Sequence, residues 1–273
     1  MYILSVVLEK NKCTAFLFDE AYKSVSKKVG EAEDVIKLCS EMLLENGIRP
    51  CDVDYIGVAV DDASVKPDVL LRDIEKNVGI RCIGVPFMSA KALGEAYASG
   101  DSELLFVKIE DCVECGIVIH NKLCPDTHQL RDRIAHMVID AGGYECSCGR
   151  QGCFEAYVSS SGLRRIAAEA GVEGSDTVTH EKLFQMDTPE AVKARTLYVK
   201  YFAIGLTNII NLFQPSEMVL EGSFTRAGDN LMKPMMDIVL REQYSRSMPN
   251  KCNIRFSDRG VDVVGLGVAL LGK

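Results

Sequence analysis

The chain has 273 residues, a formal net charge of −8 and 47% hydrophobic residues. This length and apolar content are sufficient for one or two packed domains and argue against intrinsic disorder. The acidic balance and the lack of a basic stripe argue against a nucleic-acid partner, because counterion release requires clustered Lys and Arg.

The first residues predict a strand rather than an export signal. Met1–Leu8 is apolar but has no basic segment before it, and Glu9 and Lys10 follow it directly. No apolar run approaches the roughly 18 residues of a membrane span. Eleven cysteines in a chain without an export signal favour reduced thiols and a metal site over disulfides. We therefore expect a cytoplasmic protein.

The first half of the chain alternates strand and helix patterns. Two apolar runs separated by a polar turn predict a hairpin at its start. After the hairpin, apolar residues at helical spacing predict two helices, and a short apolar run between them predicts a strand. In chain order, the predicted elements are strands over Met1–Leu8 and Cys13–Phe18, a helix over Glu31–Asn46, a strand over Tyr55–Val60 and a helix over Ala90–Ala98.

The second half repeats this order of elements after a Gly- and Cys-rich stretch. A second predicted hairpin would open a second domain, and three helices and one strand follow. The predicted elements are strands over Leu104–Ile109 and Gly116–His120, a helix over Pro189–Phe213, a strand over Met218–Glu221, a helix from Ala227 to about Tyr244 and a closing helix over Gly260–Leu271. Hairpin, helix, strand and helix thus occur twice, which predicts a duplicated α/β architecture.

A cluster of His136, Cys146, Cys148 and Cys153 has the composition of a structural zinc site. Three thiolates and one imidazole provide the four N or S ligands that tetrahedral Zn²⁺ takes, with no position left open for catalysis. Buried free cysteines would be the alternative, but glycines and polar residues separate these cysteines. The sequence therefore predicts zinc with a structural role.

A second Cys-x-x-Cys pair, Cys112 and Cys115, lies within the second predicted hairpin. No other pair in the chain has the spacing to complete a metal site with it. We expect these two cysteines to have a core or incidental role.

The cysteine cluster resembles the signature of the ROK family of sugar kinases and sugar-responsive repressors. The family places a His about ten residues before C-x-C-G-x-x-G-C-x-E, and Cys146–Glu155 matches this motif at every fixed position. Weaker matches extend over nearly the whole chain, among them Leu93-Gly94-Glu95 and the closing helix at Gly265–Leu271.

The resemblance implies an actin-like, ribonuclease-H-like sugar kinase fold of two α/β domains with a zinc-binding loop. We place the N-terminal domain at residues 1–98, with the closing helix 260–273 packing back on it. The C-terminal domain would take residues 99–259 and include the zinc loop at 136–155. The resemblance also implies a homo-oligomer, most simply a dimer.

Active kinases of the family need two phosphate loops and a catalytic Asp, and this chain departs from the pattern at all three places. Glu9 and Lys10 replace glycines of the first loop, and Val7 replaces its Asp. Phe87 stands where the Asp that deprotonates the sugar would be, and it has no proton acceptor. The second loop reads Glu110–Gly116 and carries three acidic residues, which would repel a triphosphate. We therefore expect neither ATP nor Mg²⁺ to bind and assign no catalytic residue.

Two residues keep the family's sugar-contacting types, namely His136 and Glu155. For Glu155, a carboxylate hydrogen-bonded near the zinc loop is an equally good interpretation. The leading hypothesis is a catalytically inactive sugar-binding sensor, regulator or scaffold subunit, without direct DNA contact because no helix-turn-helix precedes the first strand. The alternative is an ATP-dependent hexose or N-acetylhexosamine kinase with displaced catalytic groups, for which Asp61 and Asp62 would be the first candidates.

Overall fold

The computed structural model describes residues 1–62, 64–124, 133–242 and 251–272. The chain divides into two compact units. Unit 1 combines Met1–Ser102, Gly116–Cys124 and Asp258–Lys273, and unit 2 combines Glu103–Cys115 and Pro125–Ser257. Within the described residues, no helix has both the length and the apolar character needed to cross a membrane.

The first sheet has five strands in the order β3-β2-β1-β4-β5. The predicted first hairpin is confirmed, since β1 and β2 are antiparallel and Glu9 pairs with Lys12 around a two-residue turn. β1 pairs with β4 in parallel, as does β4 with β5. The elements are β1 (Tyr2–Glu9), β2 (Lys12–Phe18), β3 (Ser24–Glu31), α1 (Val35–Glu45), β4 (Val53–Asp61), α2 (Pro67–Val78), β5 (Cys82–Pro86) and α3 (Phe87–Ser99).

The sequence prediction started helix α1 too early and missed β3. The helix was expected from Glu31, but Glu31 is the last residue of β3 and pairs with Lys12 of β2. β3 lies at the edge of the sheet and buries none of its residues completely, so it carries little apolar pattern. The prediction also missed α2 and β5, because Ile74 is the only fully buried residue of α2.

The closing helix α9 (Val261–Ala269) packs against α3 so closely that there is no space for a side chain between the two backbones at the contact. A Cβ on Gly94 would lie 1.8 Å from the carbonyl oxygen of Val263, and a Cβ on Gly267 would lie 1.7 Å from that of Ala90. Both glycines are therefore required by the close approach of the helices. The end of the chain is held as well, because the hydroxyl of Tyr55 donates to the carbonyl of Ala269 at 2.8 Å.

The second sheet has the strand order β10-β9-β6-β7-β8. β9 lies between β6 and β10 and is parallel to both. The remaining elements are β6 (Leu104–Ile109), β7 (Val113–Ile119), β8 (Lys122–Leu123), α4 (Phe154–Val158), α5 (Ser160–Ala170), α6 (His180–Gln185), α7 (Pro189–Phe213), β9 (Glu217–Glu221), α8 (Asp229–Glu242) and β10 (Asn253–Phe256).

The long helix α7 begins and ends at the predicted residues. Thr188 caps its N-terminus by accepting the amide of Ala191, and Gln214 ends it in the left-handed region. Helix α8 was expected from Ala227 and begins at Asp229, while its expected end at Tyr244 lies outside the described residues. α5, α6 and β10 were not predicted. α6 and β10 have only six and four residues, whereas α5 has eleven and begins at the end of the Gly- and Cys-rich stretch.

Replacing Gly267 by Ala will destabilise unit 1, because the new methyl group would overlap the Ala90 carbonyl. We expect the free energy of unfolding, measured by urea denaturation, to fall by about 1–3 kcal/mol. Gly260→Ala is the matched control, since a Cβ there would meet no atom within 4 Å. Equal denaturation midpoints for the two variants would contradict the close helix approach.

Candidate metal centre

The cysteine cluster lies in unit 2, in a loop that immediately precedes α4. Only short pieces of extended pairing occur in this loop, at Val138 with Cys153 and at Glu145 with Gln151. The first bridge brings the two ends of the loop together, and the second closes the turn between them. The ligand residues of the predicted site thereby meet although they span His136 to Cys153 in sequence.

The ligand atoms of His136, Cys146, Cys148 and Cys153 all lie within 4.8 Å of one another. The distance from His136 Nδ1 to Cys146 Sγ is 3.4 Å, and the two sulfurs of Cys148 and Cys153 are 3.7 Å apart. Tetrahedral Zn²⁺ with its usual bond lengths requires about 3.8 Å between two sulfurs and about 3.5 Å between nitrogen and sulfur. The cluster can therefore hold a tetrahedral metal ion with little rearrangement.

Two glycines give the loop its shape. Gly149 and Gly152 have φ values of 82° and 75°, in the left-handed region that favours glycine. A tight turn follows Cys146, whose carbonyl accepts the Gly149 amide at 2.9 Å and whose amide donates to the Arg150 carbonyl at 2.8 Å. A Cβ on Gly152 would lie 1.8 Å from the Asp140 carbonyl oxygen, so no other residue fits there.

Asp140 connects this loop to the neighbouring helices. Its carboxylate accepts the hydroxyls of Tyr157 of α4 and Tyr201 of α7, at 2.8 and 2.9 Å. These two hydrogen bonds lower the pKa of Asp140 below its usual value. The ring of Tyr157 also stacks on that of Tyr144 at 4.5 Å, while its hydroxyl accepts the Tyr144 amide at 3.1 Å. The loop is therefore supported by aromatic side chains of two helices.

The thiols of the cluster differ in their surroundings. The backbone amide of Arg150 donates to the sulfur of Cys148 and lowers the pKa of this thiol. Burial raises the pKa of Cys153 to about 12, because the apolar environment disfavours its thiolate. A bound divalent cation would offset this cost, since metal coordination keeps a thiol deprotonated. The donor set thus fits a metal ion whose role is to crosslink and neutralise the loop.

Glu155, the predicted sugar contact, lies two residues after the last cysteine on α4. Its Oε2 accepts the backbone amide of Val113 at 3.0 Å, and its Oε1 accepts the hydroxyl of Ser147 at 3.4 Å. Ser147 stands between two ligand cysteines, and Val113 directly follows the β6–β7 turn. The carboxylate therefore connects the cysteine loop with that turn. It has lone pairs left for further donors, because a carboxylate can accept about four hydrogen bonds.

Three regions depart from the pattern of active kinases: the start of α3, the β1–β2 turn and the β6–β7 turn. Phe87 is the first residue of α3 and is 6% exposed. The β1–β2 turn consists of Lys10 and Asn11, with Lys10 at a φ of 54°. In the β6–β7 turn, the Glu110 amide donates to the Cys112 carbonyl at 3.1 Å.

The remaining sequence candidates lie outside the cluster. Asp61 ends β4, and Asp62 after it accepts the amide and hydroxyl of Ser64 at 2.8 and 2.6 Å. Cys112 is exposed and Cys115 is buried, and neither belongs to the metal cluster. Sequence reasoning missed one group of polar residues around His180 of α6, because its members are far apart in the chain and follow no motif.

Comparison with known proteins agrees with this fold. The ROK family model matches residues 62–272. The xylose repressor of Bacillus subtilis (strain 168) is 28% identical over 186 residues, which cover 66% of this chain and 47% of the repressor. The glucokinase of Halalkalibacterium halodurans is 28% identical over 162 residues, covering 53% and 49% of the two chains. The chain thus spans about half the length of these curated relatives.

Among solved structures, the ROK hexokinase from Thermus thermophilus superimposes with a TM-score of 0.81 at 23% identity. The match covers 99% of this chain and 97% of the hexokinase. The predicted fold class is therefore confirmed: the chain has the two-sheet α/β, actin-like fold of the ROK sugar kinases.

If the cluster holds a metal ion, Cys153→Ser will release it and lower the midpoint of thermal unfolding, because metal binding energy is folding energy at such sites. We expect about one equivalent of metal per chain in the wild-type protein by elemental analysis, zinc by the donor set. Cys51→Ser is the control, since Cys51 is exposed and lies outside the cluster. Wild-type protein with reduced cysteines and well under one metal ion per chain would contradict the assignment.

Proposed function

Because the chain belongs to the ROK family, we propose that it is a catalytically silent member with structural zinc that acts as a sugar-binding sensor, regulator or scaffold subunit. Its relatives include proteins named as repressors and proteins named as kinases, so membership alone allows either kind of function. The observation that carries the proposal is Phe87, which is buried and stands where the family resemblance puts the catalytic Asp.

Phe87 removes the group that a sugar kinase of this family needs for proton transfer. The side chain occupies the first position of α3, directly after the strand β5, and packs inside unit 1. A phenyl ring cannot accept a proton, and general-base assistance is worth roughly 10²–10⁴ in rate. Phosphoryl transfer from this position is therefore strongly impaired even with substrate bound.

The β6–β7 turn also lacks the features of a phosphate loop. Such loops present unpaired backbone amides to the phosphates. In this turn the amides of Glu110 and Val113 are already used, the first by the Cys112 carbonyl and the second by Glu155. The acidic side chains of Glu110 and Asp111 add negative charge at the same place. These contacts support the expectation that neither ATP nor Mg²⁺ is a cofactor.

The alternative is an ATP-dependent hexose or N-acetylhexosamine kinase with displaced catalytic groups. It is favoured by the relatives that are named as glucokinases. Asp62 would be a poor substitute base, since the hydrogen bonds from Ser64 stabilise its carboxylate and lower its pKa. Asp61, at the end of β4, is then the first residue to replace if turnover is found.

For sugar recognition we propose His136 and Glu155 as the contacting residues. Glu155 is only partly buried and retains lone pairs for sugar hydroxyls. His136 would bind the metal through Nδ1 and leave Nε2 for a hydroxyl group. We propose no direct contact with DNA, because the net charge of −8 disfavours binding to a polyanion. The thiol cluster suits the reducing conditions of the cytoplasm.

We expect no phosphoryl transfer to glucose, xylose, mannose, N-acetylglucosamine or N-acetylmannosamine in a coupled ADP-release assay. The Phe87→Asp variant should stay inactive as well, because the blocked β6–β7 turn remains. Wild-type turnover of about 1 s⁻¹ or more, the low end for ordinary enzymes, would contradict catalytic silence if it is lost in Asp61→Asn.

Thermal unfolding with the same sugars, in the presence and absence of ATP, distinguishes the remaining functions, because a ligand of the folded state raises the midpoint. If only the sugar raises the midpoint, the result supports a sensor. If the sugar and ATP each raise it, the result supports a kinase, and if neither does, it supports a scaffold. Glu155→Gln should abolish the sugar shift, whereas Glu145→Gln, an exposed carboxylate of the same loop, should keep it. Equal sugar-induced shifts of the midpoint in the two variants would show that Glu155 does not contact the sugar.

We also propose that the chain forms a homodimer, as the family resemblance implies. Sedimentation at micromolar concentration should then give twice the mass of the 30.0 kDa chain. A single monomeric species under these conditions would contradict the proposal.

A further inference from the structure

A small pocket in unit 2 is separate from the cysteine cluster and combines positive charge with hydroxyl groups. It has a volume of ≈ 80 Å³. Residues of α5, of α6 and of the helical turn Ser223–Ala227 after β9 form its walls. The polar lining residues include Ser160, Arg164, His180, Glu181, Ser223 and Arg226.

A chain of hydrogen bonds fixes the proton positions at the base of this pocket. The hydroxyl of Tyr198 donates to the carbonyl of Val158 at 2.9 Å, which uses its only proton. His180 Nε2 lies 2.9 Å from the same hydroxyl and must therefore be the donor of that contact. In a neutral imidazole, Nδ1 is then an acceptor, so the hydroxyl of Ser223 at 3.2 Å donates to it.

His180 remains neutral over the physiological pH range. Burial lowers the pKa of its imidazole to about 4, and the nearby Arg164 guanidinium contributes to this shift. The proton of Ser223 is thus directed at His180, and only the lone pairs of its oxygen remain for a ligand. Ser223 can accept a hydrogen bond from a ligand but cannot donate one to an anion.

Arg164 and Arg226 supply the positive charge. Among the described residues, neither guanidinium has a hydrogen bond or an ion pair. Glu181 is exposed and also forms no ion pair within that part of the chain, so it offsets only one of the two charges. One of the two guanidinium charges therefore has no opposite charge in this pocket, and guanidinium binds phosphate oxygens in a bidentate manner.

The N-terminus of α5 does not supply the anion-binding groups. Its first amide, from Ser160, donates to the Glu110 carbonyl at 2.8 Å, and the Gly162 amide donates to the hydroxyl of Ser159 at 3.3 Å. The side chains of Arg164 and Arg226 are therefore the charged donors of this pocket. The pocket is also much smaller than the roughly 300–1,000 Å³ of sites that enclose a whole drug-sized ligand, so it fits one charged group and the atoms next to it.

We propose that this pocket binds a phosphate monoester that also carries hydroxyl groups, such as a phosphorylated sugar or polyol. Arg164 and Arg226 hold the phosphate, and Ser223 accepts a hydrogen bond from a ligand hydroxyl. The rest of the ligand extends into solvent. The assignment is independent of the proposed function, because it involves neither the cysteine loop nor Phe87.

Isothermal titration near neutral pH in a phosphate-free buffer tests the proposal with glucose 6-phosphate, sulfate and glucose as probes. We expect saturable binding of glucose 6-phosphate and about tenfold weaker binding of sulfate, which offers no hydroxyl donor. Arg164→Ala and Arg226→Ala should each weaken glucose 6-phosphate binding by about tenfold or more. Both residues are exposed, so the variants should fold, and thermal unfolding checks this.

Arg241→Ala is the control for loss of one positive charge, since Arg241 is exposed on α8 and, among the described residues, pairs only with Glu242. It should bind glucose 6-phosphate like the wild type, whereas Ser223→Ala should reduce its binding to the level of sulfate. Absence of saturable binding at millimolar glucose 6-phosphate would overturn the proposal. So would equal affinities in the Arg164, Arg226 and Arg241 variants.

Discussion

The convergence of four ligand atoms within 4.8 Å of one another is the constraint on which the local order of this part of unit 2 depends. It requires left-handed backbone at two glycines, and at Gly152 the Asp140 carbonyl leaves no space for a side chain. Asp140 in turn accepts two tyrosine hydroxyls from α4 and α7. A loop with little regular secondary structure thus keeps a defined shape, because it is held by its own turns and by the helices beside it.

The same constraint determines what Glu155 does. Because Glu155 follows Cys153 by two residues, the path of the loop sets the position of its carboxylate. That carboxylate takes the Val113 amide and the Ser147 hydroxyl, and so closes the β6–β7 turn. The amides of Glu110 and Val113 are hydrogen-bonded within the protein and are therefore not available to a phosphate. The side chain that the family resemblance assigns to sugar therefore also binds one amide next to the turn that the resemblance assigns to phosphate.

Charge is distributed unevenly in this acidic protein. The predicted phosphate region at the β6–β7 turn carries acidic side chains, whereas the pocket around His180 carries two guanidinium groups without partners among the described residues. The two regions are connected through the hydrogen bond from the Ser160 amide to the Glu110 carbonyl. Anion recognition in unit 2, as we propose it, therefore lies at α5 and the turn after β9 rather than at the turn that a kinase would use.

The resemblance to the ROK family implied the fold class, and the sequence by itself determined the long helix α7, the first hairpin and the identity of the four possible metal ligands. These features are local: apolar periodicity, turn residues and the spacing of cysteines on one loop all act between residues close in the chain. It could not predict β3 or α2, because an edge strand and a helix with a single fully buried residue show almost no apolar pattern. It left the role of Glu155 open, because the partner Val113 is 42 positions away. Only the tertiary structure brought His180, Tyr198 and Ser223 together and fixed the protons between them, since the packing of α6, α7 and the turn after β9 decides which side chains meet.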